Sequence, residues 1–127
     1  MVLAYWGHRV SESRVGRLLR SQPFGTPARN VRFLESWGFS VTYGPTSLGR
    51  LRSLLRDGTP CIVFVQAGQL SYWTEDAYHA VVVVGLTADE IYLHDPAFDQ
   101  APQVASLGDF MLAWSDFDYL HAMIVPR

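Results

Sequence analysis

The hydrophobic period along this 127-residue chain shifts near Gly58 from mainly helical to mainly strand-like, and that shift limits the fold more than any other feature. Before Gly58, apolar residues recur three and four apart, as on one face of a helix. After it they alternate or run together in β-branched blocks, as in strands. In the first part, Ser11-Glu12-Ser13 can cap a helix with Val15, Leu18 and Leu19 on one face and Arg14, Arg17 and Arg20 on the other. Thr26-Pro27 supplies an N-cap followed by proline at the first helical position. The helix it opens has Val31, Leu34 and Trp37 as its inner side and stops at Gly38. Phe39 to Tyr43 alternates and predicts a short strand. Thr46 or Ser47 caps a third helix with Leu48, Leu51, Leu54 and Leu55, closed by Gly58.

The second part reads differently. Pro60 to Val65 suits a buried strand, and Gln69 to Asp76 is a polar, aromatic loop. Tyr78 to Gly85 and Glu90 to Asp95 are two strands whose short link, Leu86-Thr87-Ala88-Asp89, makes them a hairpin. Asp95-Pro96 ends that hairpin, because proline cannot donate to a ladder. Ser106 caps a helix containing Phe110, Met111 and Trp114, and Tyr119 to Val125 closes the sheet. Helices first and strands afterwards predict an α+β fold, with a helical N-terminal half and an antiparallel sheet in the C-terminal half. The length fits one domain over residues 1–127.

Composition excludes several function classes. Hydrophobic residues make up 49% and charged residues 17%, which argues against disorder and coiled coil. The longest apolar run, Ala80 to Leu86, is too short to cross a bilayer, so no membrane insertion is expected. A net charge of −2 gives no strong pull toward nucleic acid. A single cysteine rules out an internal disulfide framework and a multi-thiolate zinc site. The charges are uneven. Residues 1–56 hold nine of the ten arginines against Glu12 and Glu35, whereas residues 57–127 hold ten of the twelve acids. That split predicts two lobes of different composition.

The start of the chain, Met1 to Gly7, is apolar without the positive charge and cleavage site of a signal peptide. Gly7 suits a helix C′ position, but no capping residue opens the helix. The segment therefore reads as the second half of a helix whose first turns are missing. With no signal or spanning segment in the sequence, the default location is the cytoplasm.

One constellation carries chemistry. His79 opens one hairpin strand and Asp95 ends the other, an even separation of 16. With an unbulged hairpin turning near Thr87, the two sit directly opposite on one face. A carboxylate there accepts a hydrogen bond from one imidazole nitrogen, which fixes the tautomer and leaves the other nitrogen for proton transfer. A one-residue slip removes the match. The alternative is a structural hydrogen bond without catalysis. A metal site would add His94 and His121, but His94 is adjacent to Asp95 and should face the other way, so no metal is expected. His8, His94 and His121 read as partly exposed or satisfied histidines. Cys61, in the middle of an apolar strand, reads as core.

These residues lie in a longer string: Tyr72-Trp73, His79 to Gly85, Ile91 to Phe98 with His94-Asp95-Pro96, and Phe110 to Trp114. The string resembles the bacteriocin-processing, or double-glycine leader, peptidases, family thirty-nine of the cysteine peptidases. The resemblance covers nearly the whole chain, including Met1 to Gly7, Gly25-Thr26-Pro27 and the helix from Leu48 to Gly58. It implies a papain-like fold and a bacterial hydrolase of peptide bonds that needs no cofactor. It gives His79 the base role and Asp95 the orienting role. The family's nucleophilic cysteine stands at the N-terminus of the first helix, with an oxyanion-holding glutamine about six residues earlier; both would precede Met1. Cys61, Gln66 and Gln69 do not match those positions. The expectation is an N-terminally truncated peptidase domain, inactive by itself.

A peptide or protein substrate follows from that resemblance. Two other readings remain open: a non-catalytic peptide-binding module, as in relatives attached to bacterial export transporters, and a structural domain that forms a homodimer. Tyr72, Trp73 and Tyr78 are candidate substrate-binding residues, because the loop before His79 can line the cleft. Ordinary packing is the alternative. Glu75, Asp76, Asp95 and Asp99 would make the rim acidic and steer a basic peptide.

Overall fold

A computed structural model describes residues 2–5, 7, 12–19, 28–73, 78–95, 98 and 102–127. Two short helices come first, α1 (Val2–Tyr5) and α2 (Glu12–Leu18), followed by a 3-10 helix (Ala28–Trp37). Strand β1 (Phe39–Pro45), helix α3 (Leu48–Arg56) and strand β2 (Cys61–Gln66) complete the first part. A 3-10 turn (Ala67–Gln69) leads to the hairpin of β3 (Tyr78–Leu86) and β4 (Glu90–His94). The chain ends with β5 (Gln103–Ser106), α4 (Leu107–Ser115) and β6 (Leu120–Pro126).

Local chemistry explains most boundaries. Ser47 caps α3 by accepting from the Arg50 amide, and Ser106 caps α4 by accepting from the Asp109 amide. Gly7, Gly38 and Gly58 have φ of +83°, +87° and +73°, the left-handed conformation in which glycine carries no steric penalty. The second predicted helix forms, but as a 3-10 helix. Val31, Leu34 and Trp37 recur every three residues, which is the 3-10 period, so one ridge reaches the core. The proposed cap at Thr26-Pro27 lies outside the described residues, as do Ser11 and His8.

The six strands form one sheet in the order β1-β6-β2-β3-β4-β5, with every neighbouring pair antiparallel. Strand β5 did not emerge from the sequence, since four residues with one buried position, Ala105, are too short to show a period. Both faces of the central strands are covered. On one, Leu51 and Leu54 of α3 and Phe110, Ala113 and Trp114 of α4 pack on Cys61, Val63, Val65, Val81, Val83, Ile91 and Leu93. On the other, Val2, Val31 and Leu34 pack on Phe64, Val82, Ala122 and Ile124 with Phe39 and Val41. Burial on two sides is why β2 and β3 read as unbroken apolar runs. Cys61 is fully buried, as expected of a core residue.

The β3–β4 register departs from expectation in a way that governs the site. Leu86 pairs with Ile91 and Gly85 with Tyr92, so the hairpin turns over four residues, Thr87 to Glu90, and not around Thr87 alone. Thr87 closes that turn: its amide donates to the Glu90 carbonyl and its hydroxyl accepts from the Asp89 and Glu90 amides. Continued without interruption, this register would set Asp95 opposite Val82, on the face away from His79. A β-bulge between Val83 and Gly85 takes up one residue, and the pairs beyond it are Val83 with Leu93 and Val82 with His94. Asp95 thus falls opposite Val81, diagonal to His79 and on its face. Direct opposition, inferred from even spacing, is corrected. Even spacing alone does not fix the face, because a four-residue turn sets the other parity and the bulge restores it.

Candidate active site

His79 and Asp95 meet at the end of the face covered by α3 and α4. His79 shares that face with Val81 and Val83, and Asp95 shares it with Ile91 and Leu93. Diagonal residues on paired strands have Cα atoms about 7–8 Å apart, a span that an imidazole and a carboxylate together can bridge. They do: His79 Nε2 lies 2.5 Å from Asp95 Oδ1. Asp95 is 1% exposed, whereas the His79 side chain keeps 19% of its surface in solvent.

A second set of donors comes from the segment after β2. Ala67 and Leu70 are buried and anchor it, with the Leu70 amide donating to the Ala67 carbonyl and the Trp73 amide to the Leu70 carbonyl. This turn carries Tyr72 and Trp73 over the carboxylate. The Tyr72 hydroxyl and the Trp73 indole N–H each donate to Asp95 Oδ2, both at 2.9 Å. An ionised carboxylate can only accept, so His79 Nε2 carries the proton toward Oδ1 and Nδ1 is the nitrogen left for chemistry. Burial, followed by the hydrogen bond to Asp95 and its negative charge, pushes the Tyr72 phenol well above its usual range, so its proton stays on the oxygen. Trp73 and Phe98 complete the wall: the Trp73 ring centroid is 5.1 Å from His79, and Phe98 is edge-on to Tyr72 and Trp73 at 5.2 and 5.3 Å.

Of the three aromatic candidates, Tyr72 and Trp73 join His79 and Asp95, with their polar atoms turned to the carboxylate. Tyr78 does not. One residue from His79 in β3, it points to the other face, is 75% exposed and stands edge-on to Phe117 at 4.9 Å. The donor role of Tyr72 and Trp73 was not apparent from sequence; the one available signal was that both side chains carry an N–H or O–H beside the His79 strand. Glu75, Asp76 and Asp99 lie outside the described residues.

The two other described histidines, His94 and His121, are placed apart from this cluster. His121 is buried in β6, with Nδ1 2.7 Å from the Gly44 carbonyl of β1. His94 pairs with Val82 and lines a separate, largely apolar cavity of about 460 Å³ together with Val2, Leu55 and Pro60. Among the described residues no three His, Cys, Asp or Glu side chains gather in a way that could hold a metal ion. Cys61 lies four residues along β2 from Val65, the residue paired with His79, or roughly 13 Å at strand rise. Burial pushes its thiol up to about 12, so it stays protonated at neutral pH.

The comparisons with known proteins agree with this architecture. Residues 1–121 match the sequence profile of the Peptidase_C39 like family. Among solved structures, a protein from Bacillus anthracis assigned as a C39-like peptidase superposes with a TM-score of 0.79 at 14% identity, over 99% of this chain and 84% of that one. The peptidase domain of Streptococcus ComA, a bifunctional ABC transporter involved in a quorum-sensing pathway, gives 0.75 at 21% identity, over 99% and 85%. No curated protein sequence matches. With the profile spanning almost its full length and the sheet and helices arranged as in those two structures, the chain belongs to the Peptidase_C39 like family.

Proposed function

We propose that this chain carries the base and orienting carboxylate of a cysteine-peptidase centre that hydrolyses peptide bonds. His79 Nδ1 takes the proton of a thiol, and the thiolate attacks the scissile carbonyl. The same nitrogen then returns that proton to the leaving amine, and water releases the acyl group with His79 again as base. Asp95 holds the imidazole in the Nε2–H tautomer and stabilises the imidazolium that forms. The carrying observation is the 2.5 Å contact between a partly exposed imidazole and a fully buried carboxylate held by two further donors. A solitary structural pair has no need of an imidazole that keeps 19% of its side-chain surface in solvent.

Cys61 is a poor nucleophile here: buried, protonated and some four strand residues away from His79. Turnover therefore needs a thiol from outside these 127 residues, and peptides with a double-glycine leader are the substrates to try first. The test compares peptide hydrolysis by the 127-residue chain and by the chain with any residues its gene encodes before Met1. The expected result is no turnover by the first. The second should cleave, with all activity lost in His79→Ala. Turnover by the 127-residue chain that disappears in Cys61→Ala would overturn this assignment.

A second reading is a domain that holds a peptide without cutting it, favoured by the same buried thiol. It predicts calorimetric binding of leader peptides with no turnover from either form.

A further inference from the structure

The carboxylate of Asp95 is used from two sides, and the sides are not equivalent. Oδ1 faces His79 Nε2, whereas Oδ2 accepts from both the Tyr72 hydroxyl and the Trp73 indole. An indole N–H can donate but never accept, so whatever atom stands at the Oδ2 position must be an acceptor. Both donors come from a segment fixed by the buried Ala67 and Leu70, so they do not move aside with Asp95.

We propose that Tyr72 and Trp73 are positioning residues that dictate the rotation of the side chain at position 95 and, through it, the tautomer of His79. The inference rests on the reading of His79 as the proton-transfer base. It has a consequence that packing alone does not. An amide at position 95 would be forced by the donor-only indole to place its carbonyl oxygen toward Trp73 and Tyr72 and its NH2 toward His79. The NH2 can only donate, so Nε2 would have to accept and the imidazole proton would move to Nδ1. The nitrogen meant to receive a thiol proton would then be blocked. The same amide without the indole donor would no longer be held in that orientation by Trp73 and could offer oxygen to Nε2. The clamp thus makes this site selective for a carboxylate over an amide at position 95.

The experiment is nitrogen NMR of the His79 imidazole in the 127-residue chain, at a pH where the ring is neutral, with the signal assigned by its loss in His79→Gln. The wild type is expected to show the Nε2–H tautomer and Asp95→Asn the Nδ1–H tautomer. Asp95→Asn combined with Tyr72→Phe and Trp73→Phe should return to Nε2–H. Retention of Nε2–H in Asp95→Asn overturns the proposal, and so does a triple variant that stays Nδ1–H. Should circular dichroism show the triple variant unfolded, Asp95→Asn with Trp73→Phe decides, because the indole N–H is the donor that cannot accept and phenylalanine keeps a ring against Phe98. Loss of one hydrogen bond should shift its tautomer ratio by roughly fivefold or more relative to Asp95→Asn, and an unchanged ratio overturns the proposal. Peptide turnover, measured on the chain with any residues its gene encodes before Met1, separates this inference from the one beneath it. Turnover that depends on His79, with no tautomer response, removes only the clamp. A tautomer response with turnover indifferent to His79→Ala removes the assignment of the base.

Discussion

The β1–β6 and β3–β4 ribbons each carry a histidine with an internal partner, and they provide that partner in different ways. In β1–β6 seven consecutive pairs run from Phe39–Pro126 to Pro45–Leu120 without a break. His121 sits opposite Gly44 and is satisfied by the Gly44 carbonyl across the ladder. That bond needs nothing beyond the ribbon itself. In β3–β4 the partner is a side chain from a diagonal position, and it shares a face with His79 because one residue is bulged out. Its second oxygen is held by a separate segment. His121 is served by regular backbone, whereas the contact of His79 with Asp95 depends on a register break and on donors from a third segment.

The contrast can be broken most strongly at Asp95. Replacing Asp95 by alanine strands the Tyr72 hydroxyl, the Trp73 indole N–H and one imidazole nitrogen at a buried position. The expected loss is about 3–5 kcal/mol, read by urea denaturation. His121→Ala strands only the Gly44 carbonyl and should cost about 1–3 kcal/mol by the same measurement. Equal losses would mean that the two histidines are served alike.

Cys61 in β2, between the two ribbons, gives a pH-dependent test. Its thiol is pushed from an ordinary value near 9 up to about 12 by burial. The folded state therefore holds the proton through a range in which the unfolded chain releases it. Stability from this group is complete below about pH 9 and falls by roughly 1.4 kcal/mol per pH unit as pH rises toward 12. Cys61→Ala should remove that slope, so that the stability difference between the wild type and the variant is constant below about pH 9 and changes only above it.

The smallest effect is expected at the bulge. A Cβ on Gly85 would lie 3.2 Å from Tyr92 Cδ2 and 3.3 Å from Tyr92 Cβ, so the ring must shift. Gly85→Ala should cost about 1 kcal/mol, the low end for overpacking, because Tyr92 is only part-buried. A larger loss, accompanied by a change in the His79 imidazole signal, would show that the bulge tolerates no adjustment.

Much of this molecule was legible residue by residue. Ser47 and Ser106 are caps because a hydroxyl meets an amide three residues on, and Gly38 and Gly58 stop helices because their backbone turns left-handed. Such contacts are local and need only neighbours in sequence. His79 and Asp95 stood out because their residue types and strand-end positions suit a base and its carboxylate. The placement of Tyr72 and Trp73 on Asp95 spans 23 and 22 residues, and no local pattern encodes it.

The sequence by itself determined most of the order of elements, the burial of the central strand from Pro60 to Val65 and the choice of His79 and Asp95 as the candidate pair. Those follow from hydrophobic period, capping and residue type. Only the tertiary structure decided how the pair meets. The turn length, the bulge at Val84 and the donors on Oδ2 all depend on pairing between distant segments, where a change of one residue reverses the face of every side chain beyond it.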